Sequence, residues 1–153
     1  MLQKVGKRLK DQKGLTLIEL LAVIVILGII AAIAIPAIGG IIQKSKVDAV
    51  KSDAIQILNA AKTYVASNGI DDTKTIQLKK VTGADGNTTT DDLASFVEST
   101  KIDNYTVNVS VDNNNKVTYS ITATVKAGKQ TVKFTNATIK GINDSGTNLT
   151  ISN

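Results

Sequence analysis

Between Leu15 and Pro36 the chain reads LTLIELLAVIVILGIIAAIAIP, and Glu19 is the single charge in that run. A carboxylate held inside a bilayer costs about 2.5–3.5 kcal/mol on insertion scales, so a group in that position usually has a task. The spacing Thr16-x-x-Glu19 offers a local one. It matches a capping box, in which hydroxyl and carboxylate satisfy exposed amides of a helix's first turn and the negative charge suits the positive end of the helix dipole. Other chemistry is scarce. The chain has no cysteine and no histidine, which removes thiol nucleophiles, disulfides, Cys/His zinc sites and imidazole acid–base catalysis together. Asp71, Asp72, Asp85, Asp91 and Asp92 lie in or near polar loops, but no spacing matches an EF-hand, and turn or cap duty accounts for them better than calcium does. Asn87, Asn104, Asn108, Asn136 and Asn148 each begin an N-x-S/T sequon, as chance allows in a chain rich in Asn and Thr. No paired carboxylates, no nucleophile beside a base and no phosphate-cradling glycine loop stand out. The expectation is a protein that is not an enzyme and needs no cofactor or metal.

The elements around Glu19 follow from charge and periodicity. In the first fourteen residues Lys4, Lys7, Arg8, Lys10 and Lys13 face Asp11 alone, so the overall charge of +5 resides almost entirely there. Such a cluster reads as a cytoplasmic flank that orients a membrane segment. With lysine spread thinly afterwards and aromatic residues at 3%, a nucleic-acid surface is not indicated. Leu20 to Ile42 carries no charge and would form roughly 34 Å of helix, enough to cross a bilayer of ~30 Å. Pro36 and Gly39–Gly40 interrupt its far end, because a proline frees the carbonyl four residues earlier. From Ile42 the pattern becomes one-sided. Val47, Val50, Ala54, Ile57 or Leu58, Ala61 and Val65 recur at spacings of three and four, with lysine and aspartate mostly opposite. One helix is therefore expected from about Leu15 to Ser67, stopped by Asn68–Gly69.

Residues 68–103 read as a polar loop with a short strand at Thr75–Val81 and a short helix over TTTDDLASFVEST, capped near Thr90 or Asp91 and burying Leu93, Phe96 and Val97. After Asp103 the period is two. Tyr105, Val107, Val109 and Val111, then Val117, Tyr119, Ile121, Ala123 and Val125, then Val132 and Phe134 alternate with polar residues, with turns at DNNN and AGKQ. The phase slips near Asn136, which predicts a bulge or a strand end. DSGTNLTISN adds a short edge strand. The predicted fold is α+β: a long N-terminal helix, membrane-spanning in its first half and amphipathic in its second, packed on a small antiparallel sheet. The organisation is a leader at 1–14, a transmembrane helix at 15–42 and a globular part at 43–153, the last comprising helix 43–67, loop and short helix 68–103, and β-meander 104–153.

An ordinary signal peptide cut after AAIA at Ala34 is disfavoured, since the apolar run continues past the cut and a charge interrupts it. KGLTLIELLAVIVILGIIAAIAIP resembles the processing and assembly segment of type IV pilins and pseudopilins. The resemblance covers residues 10 to 40 at motif level and about 10 to 67 as helix pattern. It implies that a prepilin peptidase cleaves after Gly14, leaving Leu15 as the first mature residue and the site of N-methylation; Leu15 stands where family members usually carry phenylalanine. It also implies that the helix loses order between Gly28 and Pro36 in a filament. The α-amino group exposed by cleavage would be largely protonated, with an ordinary pKa near 8. Glu19, one helical turn along, could then pair with the amine of the next subunit. Apolar helices leaving lipid gain little from hydrophobicity, so cohesion alone specifies register weakly. An ion pair in low dielectric specifies it well, because misalignment leaves both charges unpaired.

The resemblance therefore implies a structural subunit, inserted in the cytoplasmic membrane with a cytoplasmic N-terminus. It would polymerise with copies of itself into an extracellular pilus, driven by an assembly ATPase and a membrane platform. Two other readings stay open: a pseudopilin of a type II secretion or competence DNA-uptake machine, and a membrane-anchored monomeric binding domain. Twitching, adhesion and secretion are not distinguished by these residues.

Overall fold

The computed structural model describes residues 16–70, 75–83, 88–97, 99–146 and 148–152. The chain divides into two units, Met1–Ile41 and Ile42–Asn153, and helix α1, Leu17–Asn68, contributes to both.

In the first unit α1 is helical without interruption through Gly28 and Pro36. Val23–Ile26 and Ile29–Ile30 are β-branched-rich runs that would lower helix propensity in water. A helix still results wherever the surroundings supply no hydrogen-bond partners, because it satisfies its backbone internally. The segment is long and apolar enough to cross a membrane, and none of it is buried within the chain. Leu17 is 85% exposed, and Ile33 and Ile41 are 72% and 69% exposed.

In the second unit the periodicity switches to a stripe. Val47, Val50, Ala54, Ile57, Leu58, Ala60 and Ala61 are buried. They join one core with the inward faces of a six-stranded sheet. In chain order the strands are β1 Thr75–Thr82, β2 Thr88–Asp91, β3 Tyr105–Val111, β4 Val117–Ala127, β5 Gln130–Ala137 and β6 Leu149–Ser152, with a one-turn helix α2, Ile139–Asn143, before β6. The order across the sheet is β2-β1-β3-β4-β5-β6, and every pairing is antiparallel. Alternation places Leu78, Val107, Val109, Ile121, Val132 and Phe134 against the helix stripe. Helix α1 stops as expected: Gly69 takes φ +80° and its amide reaches the Val65 carbonyl at 2.8 Å.

The slip near Asn136 is a bulge. Ala123 pairs with Phe134 but Ile121 pairs with Ala137, so β5 uses one residue more than β4 between those pairs. Asn136 absorbs it at φ +48°, and Ala137 returns to the core fully buried. Asparagine tolerates this left-handed conformation better than other non-glycine residues.

One expectation fails. The stretch 88–97 is not a short helix but strand β2 followed by turns. Its threonines favour extended backbone, and the residues meant to cap a helix are held by the sheet instead. Asp92 gives its amide to the Lys79 carbonyl at 3.0 Å and accepts the Lys79 amide on Oδ2 at 2.7 Å. The Ala94 and Phe96 amides make turn bonds three residues back, to the Asp91 and Leu93 carbonyls at 3.3 and 2.9 Å, and the Val97 amide makes an α-type bond to the Leu93 carbonyl at 3.0 Å. Burial follows the expectation better: Leu93 is fully buried, and Phe96 and Val97 pack partly buried on the core. Of the strands flanking the three-strand meander, β1 and the edge strand β6 match the expected ones, and β2 beside β1 is the addition.

Candidate functional site

The N-terminal turn of α1 is built by two residues. The Thr16 amide and its hydroxyl both donate to Glu19 Oε2, at 2.8 and 2.7 Å, and the Glu19 amide donates back to Thr16 Oγ1 at 3.3 Å. This is the capping box read from the spacing, with the donors of the first turn satisfied reciprocally. The geometry fixes the Glu19 side chain along the end of the helix, so its carboxylate lies at the start of the apolar run. Gly14 and Leu15, the residues at the expected processing point, lie outside the described residues.

Behind this turn, Gly28 and Pro36 sit within continuous helix. A Cβ added at Gly28, Gly39 or Gly40 would meet no atom within 4 Å. Their smallness therefore answers no packing need inside the chain. Absent side chains on an apolar helix let a neighbouring backbone approach closely.

The acidic residues considered for calcium serve the fold where they are described. Asp91 Oδ1 accepts from the Leu93 amide at 3.3 Å and from the Tyr105 hydroxyl at 3.2 Å, while Oδ2 lies 3.7 Å from Lys80 Nζ. Burial and the Asp91 carboxylate beside it push the Tyr105 hydroxyl well above its ordinary value. Asp71, Asp72 and Asp85 lie outside the described residues, among which no group of three His, Cys, Asp or Glu side chains could hold a metal ion. The sequon asparagines 104, 108, 136 and 148 likewise bond within the sheet region; Asn87 lies outside the described residues.

Gln43 was missed by sequence reasoning. Its Nε2 donates to the Ala127 carbonyl at 2.5 Å and to Gln130 Oε1 at 3.2 Å, and its Oε1 accepts the Lys129 amide at 3.1 Å. The side chain thus clasps the β4–β5 turn, where Gly128 holds φ +67°. The available hint was position: Gln43 is the first hydrogen-bonding side chain after the apolar run that begins at Leu20.

Comparison with known proteins adds to this geometry. Residues 9–35 match the family described as the prokaryotic N-terminal methylation motif. A type IV major fimbrial protein FimA of Dichelobacter nodosus is 50% identical over 54 residues, 35% of each chain. Another FimA of that organism is 39% identical over 77 residues, 50% of this chain and 45% of the relative. A fimbrial protein of Moraxella nonliquefaciens is 46% identical over 57 residues, 37% of this chain and 34% of the relative. The matched stretches thus span between a third and a half of those relatives' length. No solved structure matches the chain. The methylation motif opening an apolar helix, and the fimbrial relatives matched over part of their length, make this chain similar to type IV fimbrial proteins across that helix.

Proposed function

We propose that this chain is the prepilin form of a major pilin-like subunit. A prepilin peptidase cuts after Gly14, Leu15 is methylated, and the mature protein waits in the cytoplasmic membrane. It then polymerises through the first half of α1 into a surface pilus, by way of an assembly ATPase and a membrane platform. The observation that carries this reading is the placement of Glu19: the one charge of an apolar run, inside the methylation motif, at the first turn of an exposed helix.

In the separate chain Thr16 holds the Glu19 carboxylate. In the filament the proposed second partner is the Leu15 amine of the adjacent subunit. The two roles are compatible, because a carboxylate offers about four acceptor positions on its two oxygens. The pair's contribution is selection of axial alignment rather than net stability, since burying two charges offsets most of their attraction. Helix melting between Gly28 and Pro36 belongs to the same reading. Pro36 lacks an amide, so the carbonyl of Ala32 has no helical donor there and the helix is weakest at that turn.

The experiment has two parts. Intact mass of the membrane form should lack residues 1–14; a retained leader, or a cut after Ala34, refutes the processing route. Glu19→Gln keeps an oxygen for the Thr16 donors but removes the charge. The variant should be processed and stably inserted, yet yield about a tenth or less of the wild-type filaments in sheared surface material, as expected for loss of a buried charge pair. Filaments at normal abundance would leave the capping box as Glu19's whole role.

A further inference from the structure

In the second unit, three lysines from three separate elements surround one shallow cleft: Lys62 of α1, Lys116 ahead of β4, and Lys140 of α2. The cleft encloses about 280 Å³. Val117, Tyr119 and Ile139 supply the apolar part of its lining, its floor, and Thr118 and Thr138 complete the lining. Val117 is 37% exposed. Lys62 Nζ lies 6.0 Å from the centre of the Tyr119 ring, a distance at which an ammonium is held weakly over a ring face.

The lysines keep most of their charge for an incoming group. Lys140 lies 3.7 Å from Asp144 Oδ2, but the two side chains are 90% and 60% exposed, and such surface pairs contribute little. Lys62 Nζ lies 3.4 Å from the amide oxygen of Asn59, a neutral acceptor. Asp112, the acid closest in sequence to Lys116, turns its Oδ1 onto the amides of Asn114 and Lys116 at 2.8 and 2.9 Å. Thr138 Oγ1 accepts the Gly141 amide at 3.2 Å, a bond that does not use its own proton.

We infer that this cleft binds an acidic sugar unit of a glycan, its carboxylate among the three ammonium groups and its ring on the Val117–Tyr119–Ile139 floor. The lining chooses among anions. A bare inorganic anion would make no use of an apolar floor. A single-stranded nucleic acid is read by several stacking rings along a basic groove, whereas here there is one ring, with Lys62 beside it. A pyranose carrying a carboxylate has an apolar C–H face, hydroxyls at its rim and one charge at its edge, matching the apolar lining, Thr138 and the lysines respectively. The volume lies just below the usual range of roughly 300–1,000 Å³ for small-molecule sites, which suits one ring of a longer chain. A second cleft, lined by Lys101, Asp103, Asn104, Thr124, Val125 and Lys126, has an acid among its lysines and no ring, and provides the control.

The test is calorimetric titration of the full chain in detergent micelles with trigalacturonic acid, neutral maltotriose and an oligothymidylate. Trigalacturonic acid should bind and maltotriose should not. Lys116→Glu with Lys140→Glu should weaken binding at least about tenfold, as expected for charge-assisted contacts. Lys126→Glu with Lys133→Glu, the same change in net charge away from the cleft, should leave it nearly unchanged. All four lysines are on the surface, and circular dichroism checks that each variant folds. Four outcomes would each overturn the inference: no binding of the acidic trimer, equal binding of the neutral one, tighter binding of the oligothymidylate, or equal weakening by both charge-reversed pairs.

Discussion

The two halves of α1 share one backbone and have opposite needs. From Leu17 to Ile42 no residue is buried and the large apolar side chains face outward on all sides. From Val47 to Ala61 a single stripe is buried, several of its members completely, while Asp48, Lys51, Ser52, Asp53, Gln56 and Asn59 lie among the positions outside it. A helix apolar all round needs apolar surroundings on every side, and an exposed apolar area this extensive marks an interaction surface. The first half therefore needs a partner outside the chain, lipid before assembly and other copies afterwards on the proposed reading. The second half has its partner within the chain, in the sheet.

This contrast predicts opposite results for one kind of substitution. Phe134 is fully buried beneath the helix stripe, so Phe134→Ala should destabilise the second unit by about 3–5 kcal/mol. Thermal unfolding followed by near-ultraviolet circular dichroism in detergent would show it. Ile24→Ala removes a side chain that is 56% exposed and should leave that transition unchanged, while lowering filament yield if copies pack there. Equal effects of both on unfolding would break the distinction between the halves.

How far the chain could be read beforehand depends on the range of the interactions. The helix limits, the strands after Asp103 and the slip at Asn136 come from local periodicity, and the structure reproduces them. The capping box is equally local, because Thr16 and Glu19 are three residues apart. What escaped depends on distant partners. TTTDDLASFVEST has helix-capping residues in suitable places, but Asp92 is bound to Lys79, thirteen residues earlier. Gln43 bonds to Lys129 across eighty-six residues, and its position at the end of the apolar run hints at a polar role without naming that partner. The cleft on α1, β4 and α2 is likewise a product of tertiary packing, since Lys62 and Lys140 belong to different local patterns.

Gln43 also sharpens where the anchored half begins. A Cβ at Gly128 would lie 2.6 Å from Gln43 Oε1 and 2.8 Å from Lys46 Cδ, in a backbone already at φ +67°. Gly128→Ala should therefore cost about 1–3 kcal/mol, from left-handed strain together with loss of the clasp. Gln43→Ala removes the clasp alone and should cost about 1 kcal/mol. The double variant should lose less than the two single losses combined, because the displaced side chain is already gone. Strict additivity in chemical denaturation would mean that Gln43 and the turn do not depend on one another.

The smallest effect concerns pH, and it too separates the halves. Tyr105 lies on the inward face of β3, 4% exposed, and donates to Asp91 at 3.2 Å. Burial first, then the neighbouring Asp91 charge, raises its hydroxyl above the ordinary value of 10.0. Raising the pKa of an acid means that the folded chain keeps a proton which the unfolded chain releases. The protonated hydroxyl's contribution is thus intact below about pH 10, the unfolded value, and diminishes as pH climbs beyond it. Wild-type unfolding midpoints should be level between pH 8 and about 9.5 as far as this group is concerned, and fall above about pH 10. Tyr105→Phe should lose about 1 kcal/mol at neutral pH with the Asp91 bond, and should show a shallower alkaline decline. A variant that declines as steeply as the wild type would assign the alkaline sensitivity to groups other than this buried hydroxyl.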